Sequence, residues 1–478
     1  MTSRRPHRYR TLSSALAGAL RSGRYPPGSR LPSVRQLCDE HEASLATVTH
    51  ALHELEDAGL IEARPRQGFF ARAAAAPVAA AVAASPIALA GRRQRVIALA
   101  ASRDDCLSLG HLALPPALLP LAALRRLATR QLQADASLLG TGLVFGSDAL
   151  RAQLARRSAA LGCRFDPEHI VVTHGEGESL QLCLQLLARP GDVIAVTSPA
   201  PLRALELIAS LGLRALALPS SADGGLCAAA LEQAIRHGPI AACITATGGS
   251  AVDGRVPGDA AQSALADGLA RHALPLIELD MMGELHPGLR RPRPLKAVDA
   301  DDRVLYCGSF ACITGPGFSL GYVASGRHRL QLRAARAVHG ELLPALTDRV
   351  LADFLAGEGY ERHLRRLRRQ LKTQVDDWRR AVLQHFPRGT RIGIGDCGYA
   401  LWVELPDGID ALALLEQTRE QGYSFVPGAV FATGTHYDHC LRLTAAHPLD
   451  ETRQAGVRLL GQIASTLCKP GPAAAACP

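Results

Sequence analysis

Apolar positions near the start of the chain recur at helical spacing, with Leu12, Ala15, Leu16, Ala19 and Leu20 on one face. Tyr25-Pro-Pro-Gly28 ends that helix, because two prolines remove backbone donors ahead of a turn glycine. Ser33 can cap a second helix through Val34, Leu37 and Cys38. Ser44 can cap a third, which carries Val48, Leu52 and Leu55 inward and leaves Thr47, Thr49 and His50 on its other face. Two short helices on a tight turn predict a helix-turn-helix. Beyond Gly59, Leu60–Ala63 and Phe69–Ala71 can pair as strands around Arg64-Pro-Arg-Gln-Gly68, which puts Arg64 and Arg66 at the tip of a hairpin. A basic-tipped hairpin in that place is a wing.

Residues 1–72 therefore form one unit. An Ala/Pro-rich stretch without amphipathic period, 73–95, reads as a linker. From residue 96 onward, apolar runs at Ile170–Thr173, Val193–Thr197, Ala215–Leu218, Ile240–Thr245, Leu274–Ile277 and Val304–Tyr306 alternate with helical stretches, which predicts an α/β domain around a mostly parallel sheet. After about residue 340 comes an arginine-rich helix through Arg365, Arg366, Arg368 and Arg369. Strands near Tyr399–Glu404 and His439–Thr444 follow, predicting a smaller α+β lobe that ends near 466, with a tail over 467–478.

Composition narrows the class. At 478 residues, 47% hydrophobic and 20% charged, the chain is long enough for two or more domains and far from the balance of disordered sequences. Ala73–Ala90 is the longest apolar stretch, but Pro77 and Pro86 break it, so no membrane span is expected. The basic start lacks the apolar segment of a secretory signal, and a cytoplasmic location is the expectation. Twelve cysteines without a CxxC pair suggest reduced, mostly buried thiols rather than a metal site or disulfide framework. The net charge of +9 permits anionic partners, and the first 72 residues hold eleven basic against seven acidic residues. Lys296, Lys372 and Lys469 are the only lysines; every other basic residue is arginine.

The run Pro27–Leu37, then Ser44-Leu-Ala-Thr47-Val48, Ala51-Leu52 and the wing to Gly68, closely resembles the GntR family of winged helix-turn-helix regulators. The resemblance implies double-stranded DNA as partner. It places Arg35, Ser44, Thr47 and Thr49 near phosphates or base edges, with Arg30, His50, Arg64, Arg66 and Gly68 completing the candidate surface. Leu45 stands where the family often has arginine.

The remainder is similar to fold-type I aminotransferases, on Pro190-Gly-Asp192, Leu274–Glu278, Ser309-Phe310, Pro316-Gly317, Leu320-Gly-Tyr322, Leu401–Glu404, Pro427-Gly428 with Phe431, and Leu441-Arg-Leu443. The fusion resembles the MocR subfamily of GntR regulators. The expected architecture is an N-terminal winged helix-turn-helix joined to a fold-type I aminotransferase-like domain with a mostly parallel large lobe and an α+β small lobe.

That resemblance implies pyridoxal phosphate, but the motif residues that should hold it are altered. The aldimine lysine falls on Cys312, and a thiol cannot form a Schiff base. The phosphate arginine falls on Ser319, the Asp facing the pyridine nitrogen on Leu279, and the Tyr near the 3-hydroxyl on Met282. Asp280 neighbours Leu279, but on a strand it should point to the opposite face. The Asn near the ring is Ser250, the stacking aromatic is Pro201, and Glu176 brings a carboxylate into the phosphate loop. Ser309 and Arg442 are retained, the latter where such enzymes grip a substrate carboxylate.

The expectation is a DNA-binding regulator without a cofactor and without catalytic residues. Its aminotransferase-like domain would serve homodimerisation and could take an anionic small-molecule effector. The alternative is a pyridoxal phosphate-dependent regulator or aminotransferase that keeps its cofactor.

Overall fold

The computed structural model describes residues 8–21, 25, 29–57, 61–64, 68–71, 106–221, 224–288, 291–393, 395 and 397–468. The chain divides into two compact units, Met1–Ala80 and Ala81–Pro478. The side chain of Arg64, all of Arg66, the linker 73–95 and the tail from Lys469 lie outside the described residues.

In the first unit, α1 (Arg8–Arg21), α2 (Val34–Glu40) and α3 (Leu45–Asp57) enclose a core of Leu12, Leu16, Leu31, Leu37, Val48, Leu52, Leu55 and Ile61. Every one of these positions is less than about a tenth exposed, so the helical spacing in the sequence does mark the inward face. The wing pairs β1 (Ile61–Arg64) antiparallel to β2 (Gly68–Ala71). It is one rung longer than the sequence suggests, because Arg64 and Gly68 form the last pair rather than part of the turn. Gly68 adopts φ +102°, a left-handed conformation open to glycine, and so can close the hairpin there.

The second unit is built on a seven-stranded sheet of β3 (Ile170–Thr173), β4 (Val193–Ser198), β5 (Arg214–Pro219), β6 (Ala242–Ala246), β7 (Leu276–Asp280), β8 (Val304–Ser309) and β9 (Gly321–Ala324). The order across the sheet is β3-β9-β8-β7-β6-β4-β5, and β9 alone runs antiparallel to its neighbours. The sequence pattern misses β9, a four-residue strand masked by the preceding Gly/Pro-rich turn. It also places β7 too early. Leu274–Pro275 belong to the turn that closes the preceding helix, where the Leu274 amide donates to Leu269, and the strand runs on through Glu278 and Asp280.

Both carboxylates are buried, and each is satisfied locally. Glu278 accepts from the Thr247 hydroxyl and from the amides of Leu295 (2.7 Å) and Lys296 (2.8 Å). Asp280 accepts from the Arg291 guanidinium and the Tyr306 hydroxyl. These contacts let charged residues occupy a buried strand, which sequence alternation alone cannot anticipate.

One apolar layer, including Leu180, Cys183, Leu184, Ile277, Leu279, Cys307 and Val323, joins the sheet to α4 (Glu176–Leu187). The small lobe carries β10 (Arg391–Ile392), β11 (Ala400–Glu404), β12 (Val426–Pro427) and β13 (Cys440–Thr444), antiparallel in the order β10-β11-β13-β12. Ahead of it runs α5 (Glu358–His385), 28 residues long, burying Tyr360, Leu364, Leu367, Leu371 and Trp378 along one side.

Candidate functional site

The first unit presents the N-terminal turn of α3. Ser44 caps it: its hydroxyl accepts from the Thr47 amide at 3.3 Å and shares a 2.8 Å hydrogen bond with the Thr47 hydroxyl. Ser33 caps α2 by a reciprocal pair, its hydroxyl accepting from the Gln36 amide while its own amide donates to the Gln36 side chain. The caps therefore hold Ser44 and Thr47 rigidly at the helix start.

Arg35, Leu45 and His50 are exposed, and Thr47 and Thr49 are half-buried. Leu45, at the position where the family often has arginine, is 63% exposed. At the base of the wing, the Leu31 amide donates to Phe69 at 2.8 Å, Arg30 bridges to Phe70, and the Arg30 guanidinium lies over Gly68. Positive charge and exposed helix terminus thus occur together in this unit, a combination suited to phosphate and base-edge contacts.

In the second unit the C-terminal ends of β7, β8 and β3 meet the N-terminus of α4 at a cleft of about 360 Å³. His174, Glu176, Glu178, Arg203, Met281, Ser309 and Ser319 line it. Glycine makes the loop possible: a Cβ on Gly321 would lie 2.6 Å from the Gly175 carbonyl carbon, so β9 and the α4 loop can approach only as they are.

Glu176 opens α4. Burial pushes its carboxyl up to about 7, opposed by the Arg203 guanidinium. Glu178 is neutralised by a 3.1 Å ion pair with Arg336 and accepts from the His174 amide at 2.7 Å. The Ser319 hydroxyl is buried without a hydrogen-bond partner among the described residues. Ser309 accepts from the Ala311 amide at 3.3 Å, as in an ordinary turn.

Cys312 is buried in the short helix Ala311–Thr314, in hydrogen-bond contact with Tyr399. Burial pushes its thiol up to about 11. The Tyr399 hydroxyl donates to Leu112 at 2.6 Å. Leu279 faces the apolar layer against α4, and Asp280 points to the opposite face, toward Arg291 and Tyr306. Met282 is fully buried and packs near Gly398 and Cys397. The Ser250 hydroxyl caps a turn through the amides of Val252 and Asp253, and Pro201 caps the helix Leu202–Ser210.

Two lysines lie among the described residues. Lys296 is buried in ion pairs with Asp299 (2.8 Å) and Asp302, and Lys372 stands exposed on α5. Neither lines the cleft.

Arg442 on β13 donates to the carbonyls of Ala251 (3.1 Å) and Gly110 (3.2 Å) and lies over the Phe431 ring at 5.0 Å. Its Nε has no partner, and among the described residues no carboxylate pairs with it. Burial lowers its affinity for the proton to a pKa of about 10. Sequence reasoning missed Arg203 and Tyr399. Arg203 lies two residues past the altered Pro201 and Tyr399 two before the Leu401–Glu404 motif, but nothing in either segment shows which way the side chain turns.

Residues 8–71 match the model of the bacterial regulatory proteins, gntR family. The chain is 34% identical over 470 residues to the HTH-type transcriptional regulator YdcR of Escherichia coli K12, covering 95% of this chain and 98% of the relative. It is 30% identical over 464 residues to YjiR of the same organism, covering 95% and 98%. Among solved structures, Pyrococcus horikoshii kynurenine aminotransferase superposes with a TM-score of 0.72 at 23% identity, covering 79% of this chain and 94% of that one. Thermus thermophilus LysN, an α-aminoadipate aminotransferase, gives 0.71 at 24%, covering 79% and 95%. At these identities the likeness is one of fold.

Proposed function

The chain belongs to the GntR-type transcriptional regulators that carry an aminotransferase-like domain, as in the MocR subfamily, and from that premise we propose that it works without Schiff-base chemistry. In this reading a homodimer binds operator DNA through α3 and the wing. The aminotransferase-like domain holds the dimer and takes an anionic small-molecule effector by non-covalent contacts, without catalysing a reaction.

One observation carries the reading: the position that needs an amine is a buried thiol, Cys312, whose raised pKa keeps it neutral. Pyridoxal phosphate supplies, when bound to a lysine, an electron sink for amino-acid chemistry. The residues present do not fit that group. Ser319 offers one hydroxyl where a guanidinium would clamp the phosphate, and Glu176 sets a carboxyl at the same helix terminus. Leu279 offers no acceptor to a ring nitrogen, and the hydroxyl of Ser250 is spent on a turn.

What persists is a buried cation. Arg442 has an unpartnered Nε and, among the described residues, no carboxylate of its own, which suits a ligand carrying one.

Operator fragments from the DNA upstream of the gene, titrated with the purified chain, test this reading. The expected result is specific, salt-sensitive binding that pyridoxal phosphate leaves unchanged. Carboxylate-bearing metabolites that raise the thermal midpoint of the wild type should not raise that of Arg442→Gln. A change in operator affinity on adding pyridoxal phosphate would overturn the reading.

A further inference from the structure

The buried side of α5 accounts for its leucines, Tyr360 and Trp378, but not for its cations. Between Arg362 and Thr373 the helix holds six basic residues and no acidic one. Arg368 is consumed by the core: its Nε donates to the Glu284 carbonyl at 2.6 Å and its Nη2 sits 3.6 Å from the Glu284 carboxylate. The other five, Arg362, Arg365, Arg366, Arg369 and Lys372, are all exposed.

At about 100° per residue these five fall within an arc of roughly 120°, opposite the buried stripe of Leu364, Leu367 and Leu371. Arg362 has a loose partner in Glu358 at 3.7 Å, both side chains being well exposed. Among the described residues the other four have no acidic partner. The acids that could have neutralised them are spent elsewhere: Glu361 and Glu284 hold Arg157.

Such a row repels itself. Holding like charges at i,i+3 and i,i+4 positions costs a few tenths of a kcal/mol per pair in an isolated helix. A merely solvated face would gain from interspersed acids, as the same helix shows at Arg380 with Asp377. From Arg362 to Lys372 the row spans about 15 Å at 1.5 Å per residue, close to four base-pair steps at about 3.4 Å per step along one strand.

We infer that this face of α5 is a second DNA surface, which contacts the phosphates of duplex flanking the operator. The inference rests on the operator-binding reading above. DNA is the favoured polyanion, because the α5 face is tethered in one chain to the operator-binding unit, and tethering raises the effective concentration of duplex around it. The contact is electrostatic and independent of base sequence, since exposed arginine and lysine row up along a helix without the caps or close packing that fix a base-reading side chain.

The test uses the full chain and the triple variant Arg365→Gln/Arg366→Gln/Arg369→Gln. All three positions are exposed, so the fold should persist, and an unchanged thermal midpoint verifies that. Affinity is measured from low to high salt on the bare operator and on the operator extended by about 20 bp at each side, roughly two helical turns. On the extended duplex the wild type should lose affinity more steeply. At a slope near 0.9 per phosphate, the variant's log–log slope should be shallower by up to about 2.7 per protomer engaged, or about 40-fold less loss between 50 and 200 mM salt, and by up to about 5.4 where both protomers of the dimer engage. The bare operator should separate the two proteins far less, and Arg→Lys at the same positions should restore the steep slope.

Equal slopes for wild type and variant on the extended duplex overturn the inference while leaving the operator-binding reading intact. If the wild type binds neither duplex specifically, that reading falls and this inference with it. Binding of the wild type to phosphatidylserine vesicles, lost in the variant while both DNA slopes stay equal, would assign the face to a membrane surface instead and equally overturn it.

Discussion

Glu176→Gln should stabilise the protein, and by an amount that grows with pH. The carboxyl is pushed from an ordinary 4.5 up to about 7 by burial at the mouth of α4, with only the Arg203 guanidinium opposing. Below pH 4.5 the folded and unfolded chains both hold the proton, and the shift costs nothing. Between 4.5 and 7 the unfolded chain releases a proton that the folded chain keeps, so stability falls as pH rises. Above 7 the whole penalty is present, about 3 kcal/mol at 1.36 kcal/mol per pH unit.

Glutamine preserves the shape and removes the ionisation. The variant should therefore exceed the wild type by about 3 kcal/mol at pH 8 and by less than about 1 kcal/mol at pH 5. Urea unfolding of the full chain measures this cleanly, because both tryptophans, Trp378 and Trp402, lie in the second unit. A stability difference of the same size at pH 5 and pH 8 would refute the assignment of a strained, titrating carboxyl to this position.

Four further outcomes follow from the same geometry. Gly321→Ala should lower the thermal midpoint by the equivalent of about 1–3 kcal/mol, since its Cβ would press on the Gly175 backbone, and an unchanged midpoint would contradict the close approach. Ser44→Ala removes the α3 cap and should cost about 1 kcal/mol of helix stability, read as weaker operator binding at every sequence rather than at one base. Leu45, exposed at the start of α3, suits the methyl of a thymine. Leu45→Arg should shift preference at a single operator position, by about 1–3 kcal/mol in a binding selection, while an unaltered site logo would exclude Leu45 from the contact surface. Lys296→Met leaves the buried Asp299 carboxylate with its two amide donors but no cation and should cost roughly 3 kcal/mol in urea unfolding; a fully stable variant would count against a structural role for the lysine.

Much of this was legible in the chain. Helical spacing located α1 and α3, and Ser33 and Ser44 act as caps where the pattern placed them. The strand Ile170–Thr173 is visible in full and Val304–Ser309 as far as Tyr306, because each opens on apolar residues. Misplacement came where buried polar groups interrupt the pattern: Glu278 and Asp280 lie inside β7 only because Thr247, a loop of amides, Arg291 and Tyr306 satisfy them. Those partners are up to 31 residues away in sequence, and no local period encodes them. The cleft divides in the same way. Cys312, Ser319 and Glu176 stand out by position in a motif, whereas the placement of Arg203 and Tyr399 and the pairing of Arg442 with carbonyls rather than a carboxylate among the described residues are products of packing.

The most direct test of the central claim is the visible absorption of the purified chain during titration with pyridoxal phosphate, followed by borohydride reduction and mass analysis. The spectrum should equal the sum of protein and free cofactor, with no single-lysine adduct after reduction. A saturable aldimine band, trapped by borohydride on a single lysine, would contradict it.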